Sequence, residues 1–211
     1  MLAIEAFYMK AINKSDLDEF LKIKGEVKGV VFQTDGKYIL QKEGEEGLKK
    51  LEKRIAELGY PIDYRKKGEA LDLNPIGLRI ISLLVIKDTF NWPDSEIRNM
   101  GYAAPGFSFI VKLFMHFFIS FKKSANEYPS YWTMHYTIGN LEVINLDEKS
   151  KEITIHLNDF KVHPIMCLYL EGYFERIYEF AVGKGKGNCT ETKCMFKGDP
   201  YHEYVFKMKR Q

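Results

Sequence analysis

Apolar and polar positions change their period partway along this chain. In the first part they recur every three or four residues. Leu48, Leu51, Ile55 and Leu58 mark an amphipathic helix ended by Gly59, preceded by another helical segment before Gly44. Asn74-Pro75 opens a further helix through Ile76, Ile80, Ile81, Leu84 and Val85. Ser15-Asp16-Leu17-Asp18 caps a short one, and Trp92-Pro93-Asp94 starts one that Gly101 stops. Pro105 to Lys123 is apolar almost all round, with Lys112, His116, Ser120 and Lys123 as its narrow polar stripe. Such a helix is central to a core or lies at a subunit interface.

The period then becomes two. Tyr131–Ile138 reads as a strand with Trp132, Met134, Tyr136 and Ile138 on one face. Leu141–Leu146 and Glu152–Leu157 form a hairpin across Asp147-Glu148-Lys149-Ser150. A helix at Pro164–Val182 and a last hairpin around Gly198-Asp199-Pro200 complete a β-β-β-α-β-β order. The expectation is an α+β fold, helices first and then an antiparallel sheet packed on helices. One domain over 1–211 suits this, helical to about 126 and sheet-containing from about 127.

Composition narrows the partners. A formal net charge of +2 gives no pull towards nucleic acid or an acidic membrane, and Lys and Glu interleave as on a solvated helix face. Three cysteines make no disulfide framework. No secretory segment opens the chain, and the apolar runs fall short of the ~20 residues that span a bilayer. A reduced, cytoplasmic protein is expected.

The last third carries a resemblance. His163-Pro164-Ile165-Met166-Cys167, Glu171-Gly172-Tyr173-Phe174 and Cys194-Met195-Phe196-Lys197-Gly198-Asp199-Pro200-Tyr201-His202-Glu203-Tyr204 together resemble the 4-vinyl reductase domain family. Gly44-Glu45-Glu46-Gly47-Leu48 and Phe90-Asn91-Trp92, continued by Ile97 to Pro105, resemble helical parts of related heme-nitric-oxide-binding proteins. The resemblance implies the fold those families share with TRAPP subunits, a curved antiparallel sheet and helices enclosing an apolar ligand. His202 stands where the family has its final cysteine.

Three constellations follow. Strand parity turns Cys194 and His202 inward, where Cys167, at the border of its helix's apolar face, can join them. This is a candidate metal set for zinc or iron, with His163 or water as fourth ligand; a buried cysteine acting as a small hydrophobe is the competing reading. Cys189, Glu191 and Lys193 fall on the opposite face by the same parity. Second, Phe114, Phe117, Phe118 and Phe121 are expected to face Trp132, Met134 and Tyr136, with Tyr169, Tyr173 and Phe174 closing one side. Such walls suit a hydrophobic small molecule as well as a filled core. Third, the separation of His116 from Tyr128-Pro129 resembles that of the heme-ligating histidine. Heme is nevertheless disfavoured, because His116 lies on the polar stripe and the resembled family's Tyr-x-Ser-x-Arg clamp reads Phe160-Lys161-Val162-His163-Pro164 here.

His135 and His156 fall on polar strand faces and are expected in solvent, as is the helical stripe Glu171, Glu175 and Glu179. Gly183-Lys184-Gly185-Lys186-Gly187 follows a helix rather than opening one, which speaks against a phosphate loop. No nucleophile–base arrangement and no nicotinamide or flavin fingerprint appears, so a non-enzymatic sensory or ligand-binding domain is the first reading. The alternatives are a heme-based gas sensor, a component of tetrapyrrole vinyl reduction, and a TRAPP-like assembly subunit dimerising through the apolar helix.

Overall fold

The structure is a computed structural model and describes residues 13–65, 71–108, 111 and 120–209. Helix α1 (Lys14–Asp18) is capped by the Asn13 side chain, and leads to the short strand β1 (Glu26–Lys28). Helix α2 (Val30–Leu58) bends at Gly44, whose φ of 71° interrupts the helical geometry. Strand β2 (Leu73–Pro75) pairs antiparallel with β1, followed by α3 (Ile76–Phe90) and α4 (Asp94–Phe107). Two short helices, α5 (Phe121–Asn126) and α6 (Tyr128–Thr133), precede the main sheet.

That sheet is antiparallel, in the order β3 (Asn140–Asp147), β4 (Glu152–Asn158), β6 (His202–Met208), β5 (Gly187–Lys193). Ile153, Ile155 and Leu157 of β4, with Tyr204 and Phe206 of β6, form its buried face. Against it lies α7 (Pro164–Val182), started by the His163 side chain, which accepts from Ile165 N–H, and by Pro164 in its first turn. Phe174 meets Tyr204 at 5.0 Å between ring centroids, and Tyr178 meets Phe206 at 5.6 Å.

The other side of α7 packs on α4 at backbone distance. A Cβ on Gly101 would lie 2.0 Å from Tyr169 O, and one on Gly172 would lie 2.0 Å from Arg98 O. Only glycine at both positions permits the crossing. This corrects the role of Gly101: it does not stop its helix, which runs on through Pro105 to Phe107. Salt bridges from Arg98 to Glu171 and Glu175 run beside the crossing. Glu175 and Glu179, the latter accepting from the Tyr102 hydroxyl, are buried and not part of a solvated stripe.

The α+β class stands, with helices packed on antiparallel strands, but one expected strand is absent. Over Tyr131–Ile138 the chain is helical to Thr133 and then turns, and Tyr136 makes only an isolated bridge to Val27. Pro129 near the start of α6 favours the helix. The alternating aromatics serve contacts four residues apart: Trp132 stacks on Tyr136 at 4.4 Å, and Tyr131 meets His135 at 4.7 Å. The order after the helices is thus β-β-α-β-β. Phe114, His116, Phe117 and Phe118 lie outside the described residues. Among the described residues, no helix is long and apolar enough to cross a membrane.

Candidate functional site

Helix α7 presents side chains to two places. Near its N-terminus Cys167 meets the terminal hairpin, and Cys167, Glu191, Cys194 and His202 place one ligand atom each within 4.8 Å of one another. The two sulfurs are 3.9 Å apart, and Cys167 Sγ lies 3.8 Å from His202 Nδ1. His202 Nδ1 is 2.8 Å from Glu191 Oε1, and its Nε2–H donates to Phe160 O at 3.3 Å. That second contact fixes the ring so that Nδ1 faces the other three groups, the orientation a metal-bound imidazole takes. Cys194 N–H donates to Asp199 at 2.8 Å, tying the turn to the cluster.

The charges in this cluster are matched. The hydrogen bond from Cys167 brings the Cys194 thiol down to about 6, and the same bond, with burial, drives Cys167 up. Burial opposes charge on His202, but the Glu191 carboxylate outweighs it and holds the imidazole above its ordinary value. The arrangement thus favours a negative charge on Cys194 over Cys167 and a proton on the His202 ring. Two sulfurs, one imidazole and one carboxylate form a closed four-donor set suited to a tetrahedral divalent ion.

Cys167, Cys194 and His202 meet as the sequence indicated, but by a different route. Cys194 follows the end of β5, and a 3-10 turn at Met195–Lys197 precedes the Gly198 bend. The fourth group is Glu191 and not His163, which is spent capping α7. Strand parity missed Glu191 because the β5–β6 register shifts between Glu191 and Lys193. The same shift puts Cys189, opposite Phe206, in the core, beside neither of the other cysteines. An Asp-Pro turn adjoining a strand rich in small polar residues was the available hint of a bulge.

Farther along α7, an aromatic chamber lies between α2, α4, α6 and α7. Trp132, Tyr136, Tyr169, Tyr173 and Phe174 all line it, as expected, and Tyr128, Tyr131 and His135 join them. Met134 and Phe121 do not; Phe121 packs on Tyr178 instead. The free space between the walls is about 30 Å³, room for about one water molecule, so a larger occupant has to push the walls apart. Tyr131 and Tyr173 hydroxyls satisfy each other.

His135 is the unexpected member. It is 6% exposed, not solvated, and its Nδ1–H donates to Tyr131 O at 3.1 Å. That bond fixes the tautomer and leaves Nε2 with no partner among the described residues. Burial holds the ring's pKa down at about 4, so it is neutral. Tyr128 Oη, also on the chamber, is likewise unpartnered. The helical i, i+4 spacing of Tyr131 and His135 was legible, but the strand reading hid it. His156, the other histidine expected in solvent, bonds Glu203 at 2.8 Å and stacks on Tyr201.

No family model matches this sequence, and no curated protein is similar to it. Solved structures are similar in fold. An H-NOX protein from S. oneidensis in its Fe(II)NO ligation state matches 87% of this chain and 99% of its own, at TM-score 0.63 and 11% identity. Fe(II) unliganded H-NOX from K. algicida matches 87% and 97%, at TM-score 0.61 and 10% identity. A structure concerned with modulating heme redox potential through porphyrin distortion matches 87% and 99%, at TM-score 0.56 and 12% identity. The architecture is therefore H-NOX-like; at these identities the likeness is one of fold.

These neighbours overturn the expectation that disfavoured heme, since they are iron and porphyrin proteins on this architecture. Donor chemistry agrees. A neutral, buried imidazole with a free Nε2 is the kind of ligand heme iron takes, and His135 offers one at an aromatic wall.

Proposed function

We propose that this chain is the sensory domain of a heme-based gas sensor, with the aromatic chamber as its ligand site. The observation that carries the reading is the Nε2 of His135, without a partner among the described residues, in a chamber walled by rings and aliphatic side chains together with Thr34 and Ser108. His135 would hold the group from one side, while Trp132, Tyr136 and Tyr173 would pack its apolar faces and keep water out. Bound heme would supply an iron that takes a diatomic gas. Because so little free space separates the walls, occupancy works as a population shift: filling the chamber favours an arrangement in which α6 stands farther from α7, while the glycine crossing keeps α4 and α7 together. The 4-vinyl reductase resemblance supports the same chamber as a ligand site.

Expression with added hemin tests this. A Soret band is expected in the wild type, lost in His135→Ala, recovered with exogenous imidazole and retained in His116→Ala. Absence of the band from folded wild-type protein sinks the heme reading. An apolar mass retained in native mass spectrometry would then identify the chamber's occupant.

The geometry of Cys167, Glu191, Cys194 and His202 supports a second element, a divalent metal ion that fastens the terminal hairpin to α7. Cobalt(II) is the probe: thiolate-to-cobalt absorption at about one ion per chain is expected, and Cys194→Ser removes it. Metal-free preparations that also give no cobalt absorption would end the proposal.

A further inference from the structure

One end of the chamber abuts a charged pair that the protein does not fully satisfy. Asp35 of α2 and Arg79 of α3 are both 0% exposed and form an ion pair. Asp35 Oδ2 accepts from Arg79 Nη1 and from Ser82 Oγ, and Ser82 Oγ in turn lies 3.1 Å from Tyr64 Oη. Among the described residues, Asp35 Oδ1, Arg79 Nε and Arg79 Nη2 have no partner at hydrogen-bonding geometry, although the Tyr136 hydroxyl stands close enough to act weakly on the guanidinium as a hydrogen-bond neighbour. Donors of a fully buried guanidinium are rarely left open, because the desolvation cost is then uncompensated.

The position of these donors is informative. Val31 and Thr34 line the chamber, and Asp35 lies one helical turn beyond Val31 on the same face of α2. The Arg79 guanidinium carbon is 4.4 Å from the centre of the Tyr169 ring, and its charge acts on both Tyr169 and Tyr136, two walls of the chamber. Nε and Nη2 are neighbours on one edge of the planar guanidinium. Their two N–H bonds run parallel, at the spacing of the two oxygens of a carboxylate. Nη1, on the other side, is occupied by Asp35.

We propose that the Nε/Nη2 edge of Arg79 is a carboxylate subsite at the end of the chamber, taking the acidic group of a ligand whose apolar body lies among the rings. This rests on the reading of the chamber as a ligand site. The carboxylate comes either from a heme propionate or from a free organic acid. Asp35 Oδ1 is available to take up a proton, so the incoming anion adds no net charge to the buried pair.

Two probe pairs test it: hemin against hemin dimethyl ester, and 1-naphthaleneacetic acid against its methyl ester. The proteins are the full chain and the double variant Asp35→Leu/Arg79→Met, which removes both charges together and leaves no lone buried ion. Wild type is expected to bind the acid of at least one pair about tenfold more tightly than its ester. The folded double variant should bind acid and ester alike, at the wild-type ester affinity. Preference confined to the porphyrin pair assigns the propionate; preference in the naphthyl pair assigns a free acid. Equal binding of acid and ester by wild type overturns the subsite and leaves the chamber standing. Failure of all four probes to bind overturns both. A preference that persists in the folded double variant removes Arg79 from the role.

Discussion

The Cys/His cluster and the aromatic chamber share helix α7 but are held together in opposite ways. In the cluster four polar side chains lie within 4.8 Å, and each has a partner that fixes its direction. In the chamber rings touch loosely at 4.4 to 6.5 Å between centroids, and two polar atoms stay unpaired. A directional, satisfied site tolerates little movement and suits a fixed ion. A ring-lined site with unpaired polar tips gains from an occupant and yields to it. The same helix can therefore be pinned to the hairpin and to α4 while the rings beside it give way.

The largest effect is expected where both regions depend on one contact. Gly172→Ala or Gly101→Ala forces a methyl to within 2.0 Å of backbone oxygen, so α4 and α7 must separate. A loss of about 4 kcal/mol or outright failure to fold is expected, read by thermal or urea unfolding. A melting point within a few degrees of wild type would show that the crossing yields. Next, the two regions should come apart on chelation. Removing metal is expected to lower stability by about 3–4 kcal/mol at saturating ion, while probe binding in the chamber persists. Loss of both together would mean that the cluster holds the chamber in shape.

Acid acts through buried histidines at both ends of the comparison, His135 in the chamber and His163 at the start of α7. His135 and His163 are held down at about 4 by burial, against 6.5 in the unfolded chain. Their native pKa values are depressed, so the unfolded state takes up protons first as pH falls. Stability is full above about 6.5, declines between 6.5 and 4, and is flat in this respect below 4, by up to ~3 kcal/mol for each ring. His135→Phe should flatten that decline in denaturant titrations across pH; an unchanged slope would place the ring elsewhere. The smallest effect belongs to a single chamber wall. Phe174→Leu is expected to cost about 1–2 kcal/mol and leave cobalt stoichiometry unaltered. A change in cobalt binding would show that the two sites are coupled through α7.

Legibility differed in the same way. Cys167, Cys194 and His202 could be grouped from sequence because a soft-donor set stands out among apolar neighbours, but strand parity was not the reason for Cys194, which lies beyond the end of β5 and past its register shift. Glu191 could not, since a one-residue register shift reverses the face of everything before it. His135 was lost because alternating aromatics were read as a strand, although the pairs Tyr131/His135 and Trp132/Tyr136 also fit one turn of helix. Heme was set aside on local motifs, whereas the likeness to H-NOX proteins is one of fold alone, at 10–12% identity.

By itself the sequence determined the helices through Leu48–Leu58 and Ile76–Val85, the β3–β4 and β5–β6 hairpins, the helix between them and the approach of Cys167, Cys194 and His202. These elements follow from periodicity, caps and turn residues, which act over a few neighbouring positions. The expected helix Pro105–Lys123 instead gives its first residues to α4, which ends at Phe107 before an extended Ser108, and its last to α5, which opens at Phe121 after an extended Ser120. Tertiary structure alone decided that Gly101 and Gly172 bring two backbones together, that Glu191 completes the cluster, and that Arg79 and His135 are buried with open edges. Those outcomes depend on which distant segment arrives alongside and how much water it expels, and no local pattern encodes that.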